Sequence, residues 1–307
     1  MGNGKIIIAG SANTDIVLKL SRMLAQGECV IVDSQHVVPG GKGANRAVAL
    51  ARLGDDPAFA CCIGNDSFGD WLYGLYESEG LSRSLITRTA DAGTGAAYIM
   101  LDRDGNNRIA VYPGANDLMR GDVLDAAVTA LDDADFLSLE FEIPLESVER
   151  LNFEACSRGV LSVIDAGPIR DGVPLDIFKG AFILSPNESE TLSLTGISPD
   201  TEPGAEEAAA ALYNTGVKNV ILKLGERGSL LYNGKDYYRC PAAKCPAEVT
   251  DTTGAGDSYM AALLFGLKRN KTIPEAMRFA SAAAAVTVTR LGAIPSLPRL
   301  YEINYQL

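Results

Sequence analysis

The sequence predicts an α/β fold whose mainly parallel sheet is covered by helices on both faces, and three observations predict it. Short unbroken apolar runs alternate with segments of helical period along most of the chain. Two glycine-rich turns, at 40–43 and 254–256, each open a helical segment. Only two stretches break the alternation, and both read as strands with no helix between them. In chain order the strand runs are 5–9, 58–63, 135–139, 161–165, 182–184 and 219–224. Several are apolar throughout, as strands buried on both faces are. The helical segments are 44–53, which ends on Gly54, then 68–78, 122–131, 145–157, 188–194, 205–214, 255–268 and 274–289. The exceptions are 29–38 and the pair 96–101 and 108–112, the latter joined by the turn D-R-D-G-N-N at 102–107. They predict a small second sheet outside the main one. No linker rich in Pro, Gly or Ser and no internal repeat divides residues 1–307, so one domain is expected.

Composition bounds the function classes. A chain of 307 residues with 47% hydrophobic and 21% charged residues can bury a large core. Its formal charge of −12 argues against nucleic acid or an anionic membrane as partner, so any nucleotide site must be locally basic or built from backbone N–H groups. The first residues, M-G-N-G-K-I-I-I-A-G, lack an apolar targeting core, and the apolar stretch 279–288 is too short to span a bilayer. A cytoplasmic protein is expected. Six cysteines, at 29, 61, 62, 156, 240 and 245, lack paired C-x-x-C spacing, so reduced thiols are expected rather than a zinc site.

Residues 251–267 read D-T-T-G-A-G-D-S-Y-M-A-A-L-L-F-G-L. Gly254 and Gly256 let the backbone turn tightly enough to aim several N–H groups at one point, where the helix start adds partial positive charge. Such a nest holds an anion. A carboxylate at Asp257 makes chemical sense there if a substrate hydroxyl lies between it and the anion, as for a general base facing a transferable phosphate. Taken alone, the segment also fits a capped helix start with a first-turn acid. The other nucleotide motifs fail. A P-loop needs Ser or Thr after Gly-Lys, but Gly43 follows Lys42, and a dinucleotide fingerprint fails at Arg46.

The segment G-G-K-G-A-N-R-A-V-A-L-A-R-L-G at 40–54 and D-T-T-G-A-G-D at 251–257 resemble the two signature motifs of the ribokinase-like (PfkB) carbohydrate kinase family. The resemblance continues in order through G-S-A-N-T-D at 10–15, P-L-E-S-V at 144–148, S-P-N-E-S-E at 185–190, K-L-G-E-R-G at 223–228 and V-T-R-L-G-A-I-P-S at 288–296. It implies a three-layer α/β/α fold with a small β-sheet lid, from about 14–38 and 95–113, that covers the sugar and pairs between subunits of a homodimer. The implied activity is ATP-dependent transfer of the γ-phosphate to the terminal hydroxyl of a free sugar, D-ribose foremost. Another sugar, a sugar acid or a nucleoside is the alternative acceptor, and a non-catalytic sugar sensor is a more distant reading.

The resemblance also assigns residues. Asp257 is the implied base, with Gly254, Ala255 and Gly256 as anion hole. Asn13, Asp15, Gly40, Gly41, Lys42, Asn45, Glu142 and Asp257 are implied around the sugar, with Asp251 completing the pocket and Glu140 a less well placed substitute for Glu142. Asn187, Lys223, Gly225, Gly228, Gly256 and Ser281 are implied beside ATP. Asn187 and Glu190 are implied for Mg²⁺, mostly through water, although N-x-x-E is equally a helix capping box. Asp251, Thr253, Thr287, Arg290, Gly292 and Ser296 are implied for K⁺, largely through main-chain carbonyls. The chain departs from the family pattern at Arg46, where glutamine is common, and at Asp165-Ala166-Gly167-Pro168, where an Asn-Pro turn is common. Met260 and Ser281 also differ from the bulkier or more polar residues often found there. These departures leave the acceptor open without removing a catalytic group, and Arg108 in the lid keeps a phosphorylated sugar possible.

Overall fold

The computed structural model describes residues 4–169 and 172–305; Met1 to Asn3, read above with the first strand run, lie outside them. The first strand, β1 (Lys5–Ala9), shows why the sheet is central. Ile6 and Ile8 point into one apolar cluster and Ile7 and Ala9 into the other, all of them buried. A strand of this composition has no polar face to give to water, so helices must cover both sides.

The second and third strands, β2 (Asn13–Lys19) and β3 (Ser34–Gly40), leave the main layer, and the chain returns through α1 (Lys42–Arg52) to β4 (Ala58–Gly64). There follow α2 (Ser67–Ser78), β5 (Ile86–Thr89), β6 (Gly95–Leu101), β7 (Asn107–Tyr112), α3 (Gly121–Ala130), β8 (Ala134–Leu139), α4 (Leu145–Arg158) and β9 (Leu161–Ile164). The remainder is β10 (Ile183–Leu184), α5 (Glu188–Thr195), α6 (Glu202–Tyr213), β11 (Val220–Lys223), β12 (Ser229–Tyr232), β13 (Tyr237–Cys240), α7 (Ala255–Lys268) and α8 (Ile273–Thr287). The main sheet has the order β13-β12-β11-β10-β9-β8-β1-β4-β5 and is parallel except for β12 and β13. One face carries α1, α2, α7 and α8, and the other α3, α4 and α6.

The small sheet has the order β3-β2-β6-β7. β2 pairs antiparallel with β3 from Asn13↔Gly40 to Lys19↔Ser34, and parallel with β6 from Asn13↔Gly95 to Lys19↔Leu101. Three differences from the sequence reading stand out, while β2 begins at Asn13, beside the start of the lid expected from about 14. The strand expected over 29–38 starts only at Ser34. The segments β12 and β13 add an antiparallel edge, and β5 adds a short edge strand on the other side. The bounds of β3 and the presence of β5 depend on pairing with β2 and β4, which local pattern does not encode.

Helix ends follow local chemistry. Asp66 caps α2 by accepting from the Gly69 amide at 2.8 Å, and the same carboxylate takes the Thr94 amide and hydroxyl, each at 2.7 Å. Asn187 with Glu190 and Thr272 with Glu275 form capping boxes at α5 and α8. All six cysteines are free thiols, and among the described residues no helix is long and apolar enough to cross a membrane.

Two glycines of α2 give opposite expectations. A Cβ on Gly69 would collide with the Gly64 carbonyl oxygen, whereas one on exposed Gly74 meets nothing within 4 Å. Gly69→Ala should therefore cost about 1–3 kcal/mol through a forced backbone shift. Gly74→Ala should stabilise by about 0.5–1 kcal/mol by restraining the unfolded chain. Thermal melts of the two variants check the contrast, which fails if both move the midpoint in the same direction.

Candidate active site

Outside the lid and the 251–257 and 288–296 loops, the site residues suggested from the sequence lie at or just beyond the carboxyl end of a central strand or on α1, which packs there, except Ser281 and Thr287, which lie on α8. The loop after β1 and the first turn of α1 meet backbone to backbone. A Cβ on Gly43 would stand 2.6 Å from the Gly10 carbonyl carbon, and one on Gly41 2.7 Å from the Asn13 nitrogen. Gly41 also has φ +94°, which side chains disfavour. This approach brings Asn13, Asp15, Lys42 and Asn45 to one end of the sheet.

A cavity of about 240 Å³ opens there, lined by Asn13, Val111, Pro113, Asn116, Glu142 and Pro168 among others. Glu142 accepts from Ser11 Oγ at 2.6 Å and Asn13 Nδ2 at 3.0 Å, and Asn116 Nδ2 donates to Asn13 Oδ1 at 2.7 Å. Glu140 has a different part. Fully buried, it accepts from the backbone amides of Ser11, at 2.7 Å, and Glu142, fastening the two loops to each other. Burial first and the neighbouring Glu142 second push its carboxyl up to about 8. Asp15 is pushed up to about 7, chiefly by burial and then by Glu142 and Asp257.

Beside this cavity lies a larger cleft of about 1050 Å³. Its floor is the start of α7. Gly254 caps the helix in the left-handed region, at φ 78°, with no side chain closing the end. The Ala255 amide already donates to the Thr252 carbonyl at 3.2 Å, while no acceptor among the described residues takes the amides of Gly254 and Gly256. Of the three amides expected to form an anion hole, those of Gly254 and Gly256 are the unpaired ones. Asp257 is 6% exposed at the edge of the cleft. Its Oδ2 accepts from Asn45 Nδ2 at 2.7 Å and its Oδ1 from Arg46 Nε at 3.2 Å. Each oxygen keeps a lone pair for one further donor.

Lys42 also lines the cleft. Burial alone would favour its neutral form, but Asp165, Asp257, Glu142 and Glu190 outweigh burial and hold the ammonium above its usual range. It pairs closely with none of the four. Lys223 Nζ donates to Asp165 Oδ1 at 2.8 Å and would lie 3.7 Å from a Cβ on Gly256. Gly225 and Gly228 line the same cleft at the turn before β12. Ser281 reaches it too, though its hydroxyl is occupied, accepting from the Ala243 amide at 2.8 Å and donating to the Pro241 carbonyl at 3.3 Å.

Asn187 and Glu190 fill the capping box reciprocally, at 2.9 Å and 2.7 Å, while both line the cleft. Burial, then Asp165, raises the Glu190 carboxyl above the ordinary range despite Lys223 and Lys42. Hard oxygen donors already committed to a helix cap suit a magnesium ion held mainly through its waters. Among the described residues no group of three or more His, Cys, Asp or Glu side chains is set to ligate a metal directly.

Asp251 does not line either cavity. It accepts from the Thr253 amide at 2.9 Å and the Gly292 amide at 2.8 Å, and these bonds outweigh burial to hold it below the usual carboxylate range. The side chains of Thr287, Arg290 and Ser296 are likewise occupied, by the Ala283 carbonyl, Glu302 and the Ala293 carbonyl. The main-chain carbonyls of this loop pair are the donor type suited to a large, weakly hydrated monovalent cation such as K⁺.

Asn116, Val111 and Pro113, which line the smaller cavity, escaped sequence reading, as did the anchoring parts of Glu140 and Ser11. A polar cluster, P-G-A-N-D at 113–117, follows the last lid strand and was the available signal.

Residues 3–300 match the family described as pfkB family carbohydrate kinase. Ribokinase of Staphylococcus aureus is 32% identical over 302 residues, covering 98% of each chain. The bifunctional ribokinase/ribose-5-phosphate isomerase A of Fructilactobacillus sanfranciscensis is 36% identical over 96% of this chain, which spans 54% of that longer protein. Among solved structures, Arabidopsis thaliana ribokinase complexed with ribose and ATP superimposes with a TM-score of 0.90 at 32% identity, covering 98% of this chain and 97% of that one. Motif order, sheet topology and full-length similarity agree, and the chain belongs to the pfkB family of carbohydrate kinases.

Proposed function

We propose that this carbohydrate kinase is an ATP-dependent ribokinase, transferring the γ-phosphate to the terminal hydroxyl of D-ribose. The observation that carries the reading is the placement of Asp257. Its carboxylate is fixed at both oxygens and lines the larger cleft beside the unpaired amides of Gly254 and Gly256. Similarity to a ribokinase that binds ribose and ATP favours ribose as the acceptor.

In this scheme the ribose hydroxyls meet Asn13, Asp15, Asn45 and Glu142, against the backbone at Gly40 and Gly41. ATP occupies the larger cleft, along Asn187, Lys223, Gly225, Gly228 and the Ser281 helix face. Asp257 accepts the proton of the terminal hydroxyl as its oxygen bonds to the γ-phosphorus; the bond to the β-phosphate oxygen breaks and ADP leaves. The Gly254 and Gly256 amides and the Lys42 ammonium face the charge that develops on the transferring group. Asn187 and Glu190 would hold Mg²⁺ through its waters, and the ion would offset phosphate charge. The carbonyls of the 251–253 and 287–296 loops would hold K⁺ behind the anion hole, with Asp251 tying those loops together. The small sheet acts as a lid that keeps water from the phosphoryl group. Its exposed Val37, Tyr98 and Tyr112, which the strand register sets on one face, form an apolar surface suited to a second lid in a homodimer. A cytoplasmic setting accords with reduced thiols and with ATP as substrate.

Asp257→Asn should lower turnover about 10²- to 10⁴-fold while retaining ribose binding, by coupled ADP-release assay and calorimetry. Unchanged turnover would remove Asp257 from the mechanism. A carboxylate receives sugar hydroxyls best when ionised, and Asp15 lies near 7 before sugar binds. Ribose affinity should therefore rise from about pH 6 to pH 8, by up to about tenfold per unit on the acid side, and Asp15→Asn should flatten the profile. A flat profile in the parent protein overturns this assignment. Tyr98→Glu should shift sedimentation toward the monomer; if the parent chain sediments as a monomer throughout the micromolar range, pairing through the lid is wrong.

A further inference from the structure

The two main departures from the family pattern meet inside the protein. Arg46 is fully buried, so its charge has no water to solvate it and must be balanced by protein groups. Its NH2 donates to Asp165 Oδ2 at 2.9 Å and its Nε to Asp257 Oδ1 at 3.2 Å. NH1 completes the set, reaching the Leu139 carbonyl at 3.0 Å and Ser138 Oγ at 3.3 Å. The guanidinium is thus held on three sides by the ends of β8 and β9 and presents its remaining edge to the Asp257 carboxylate. Asp165 is shared in turn, its other oxygen accepting from Lys223. Burial would raise Asp165, but Lys223, Arg46 and Lys42 outweigh it and hold the carboxyl below its ordinary range.

We propose that Arg46, anchored on Asp165, is a positioning residue that fixes the orientation of the Asp257 carboxylate between the sugar hydroxyl and the γ-phosphate. The proposal rests on Asp257 as the base. A rigid planar fork suits this task, because one edge can be immobilised while another sets the angle of a carboxylate. Asn45 holds only Oδ2, and one hydrogen bond leaves the carboxylate free to rotate about its Cβ–Cγ bond. The second bond, from Arg46 to Oδ1, removes that freedom. Asp165 makes the arrangement self-consistent, since Arg46 opposite a neutral side chain would leave its charge to Asp257 alone and draw the base toward the core.

Steady-state kinetics with ribose, Mg-ATP and K⁺ on Arg46→Gln, Arg46→Lys and the double variant Arg46→Gln/Asp165→Asn test this, with Asp257→Asn alongside. Arg46→Gln is expected to lower kcat about 10- to 100-fold with both KM values within about threefold, the pattern of lost orientation rather than lost binding. Arg46→Lys, with a point charge that cannot span both carboxylates, should recover only part of that loss. The double variant removes the carboxylate that would otherwise lose its guanidinium, so it keeps the thermal midpoint closer to the parent than Arg46→Gln does, yet stays low in kcat. If the double variant restores kcat to within about twofold, Arg46 serves only to neutralise Asp165 and the proposal is overturned. It is equally overturned if Arg46→Gln raises KM at unchanged kcat, or leaves both untouched. Should Arg46→Gln not fold, the double and lysine variants decide by the same criteria. Retained turnover in Asp257→Asn would instead overturn the base assignment, whatever Arg46 does.

Discussion

No side chain fits between the loop that leaves β1 and the first turn of α1, and the site depends on that constraint. Gly10 and Gly43 bring two backbones into contact that any Cβ on Gly43 would force apart. Glu140, from the end of β8, then fastens the loop by taking the Ser11 amide. A small displacement here would disturb the bonds from Asn13 to Glu142 and from Asn45 to Asp257, since each starts from one of the two elements this contact joins. The glycines of the first motif are therefore needed for assembly of the pocket as well as for approach to a ligand.

The second constraint is electrostatic. Asp15, Glu140, Glu142, Asp165, Glu190 and Asp257 crowd one end of the sheet, and Lys42, Arg46 and Lys223 stand among them. A chain with formal charge −12 prepares for a polyphosphate by placing its cations where carboxylates already hold them. Arg46 and Lys223 are oriented by their carboxylates before ligand arrives, while Lys42 lines the cleft without a close partner. The carboxylates that are pushed upward, Asp15, Glu140 and Glu190, are those for which burial outweighs the cations nearby.

Much of this was legible in the sequence because the chemistry is local. The nest at 254–256, Asp257 one residue later and the helix beyond it are contiguous, and β1 declares itself by three consecutive isoleucines. The capping box of Asn187 and Glu190 was readable for the same reason, as one turn of helix contains both partners. What escaped requires two distant positions at once. Arg46 reads as a substitution in a helix until Asp165, 119 residues away, is found against it. Glu140 and Glu142 have the same charge and differ by two residues, yet one faces the cavity and the other is buried under it. The Ala255 amide looked like part of the nest, and only the turn that returns it to the Thr252 carbonyl removes it. Strand β2 was legible only through the family resemblance, as the start of a lid from about 14, because its pairing with β3 and β6 comes from segments about 20 and 80 residues further on.

That strand has a mechanical consequence. β2 runs without a break from Asn13, which touches Glu142 in the small cavity, to Lys19 at the outer end of the small sheet. Seven residues in extended form span roughly 20 Å. Both neighbours are paired to it along its whole length, which stiffens it against bending. It is a lever pivoted at the small polar cavity, with its long arm outside the main domain. A force of any origin on the outer end must be felt as a rotation at Asn13 and Asp15, so grip on a small polar ligand and the attitude of a distant surface are mechanically a single degree of freedom.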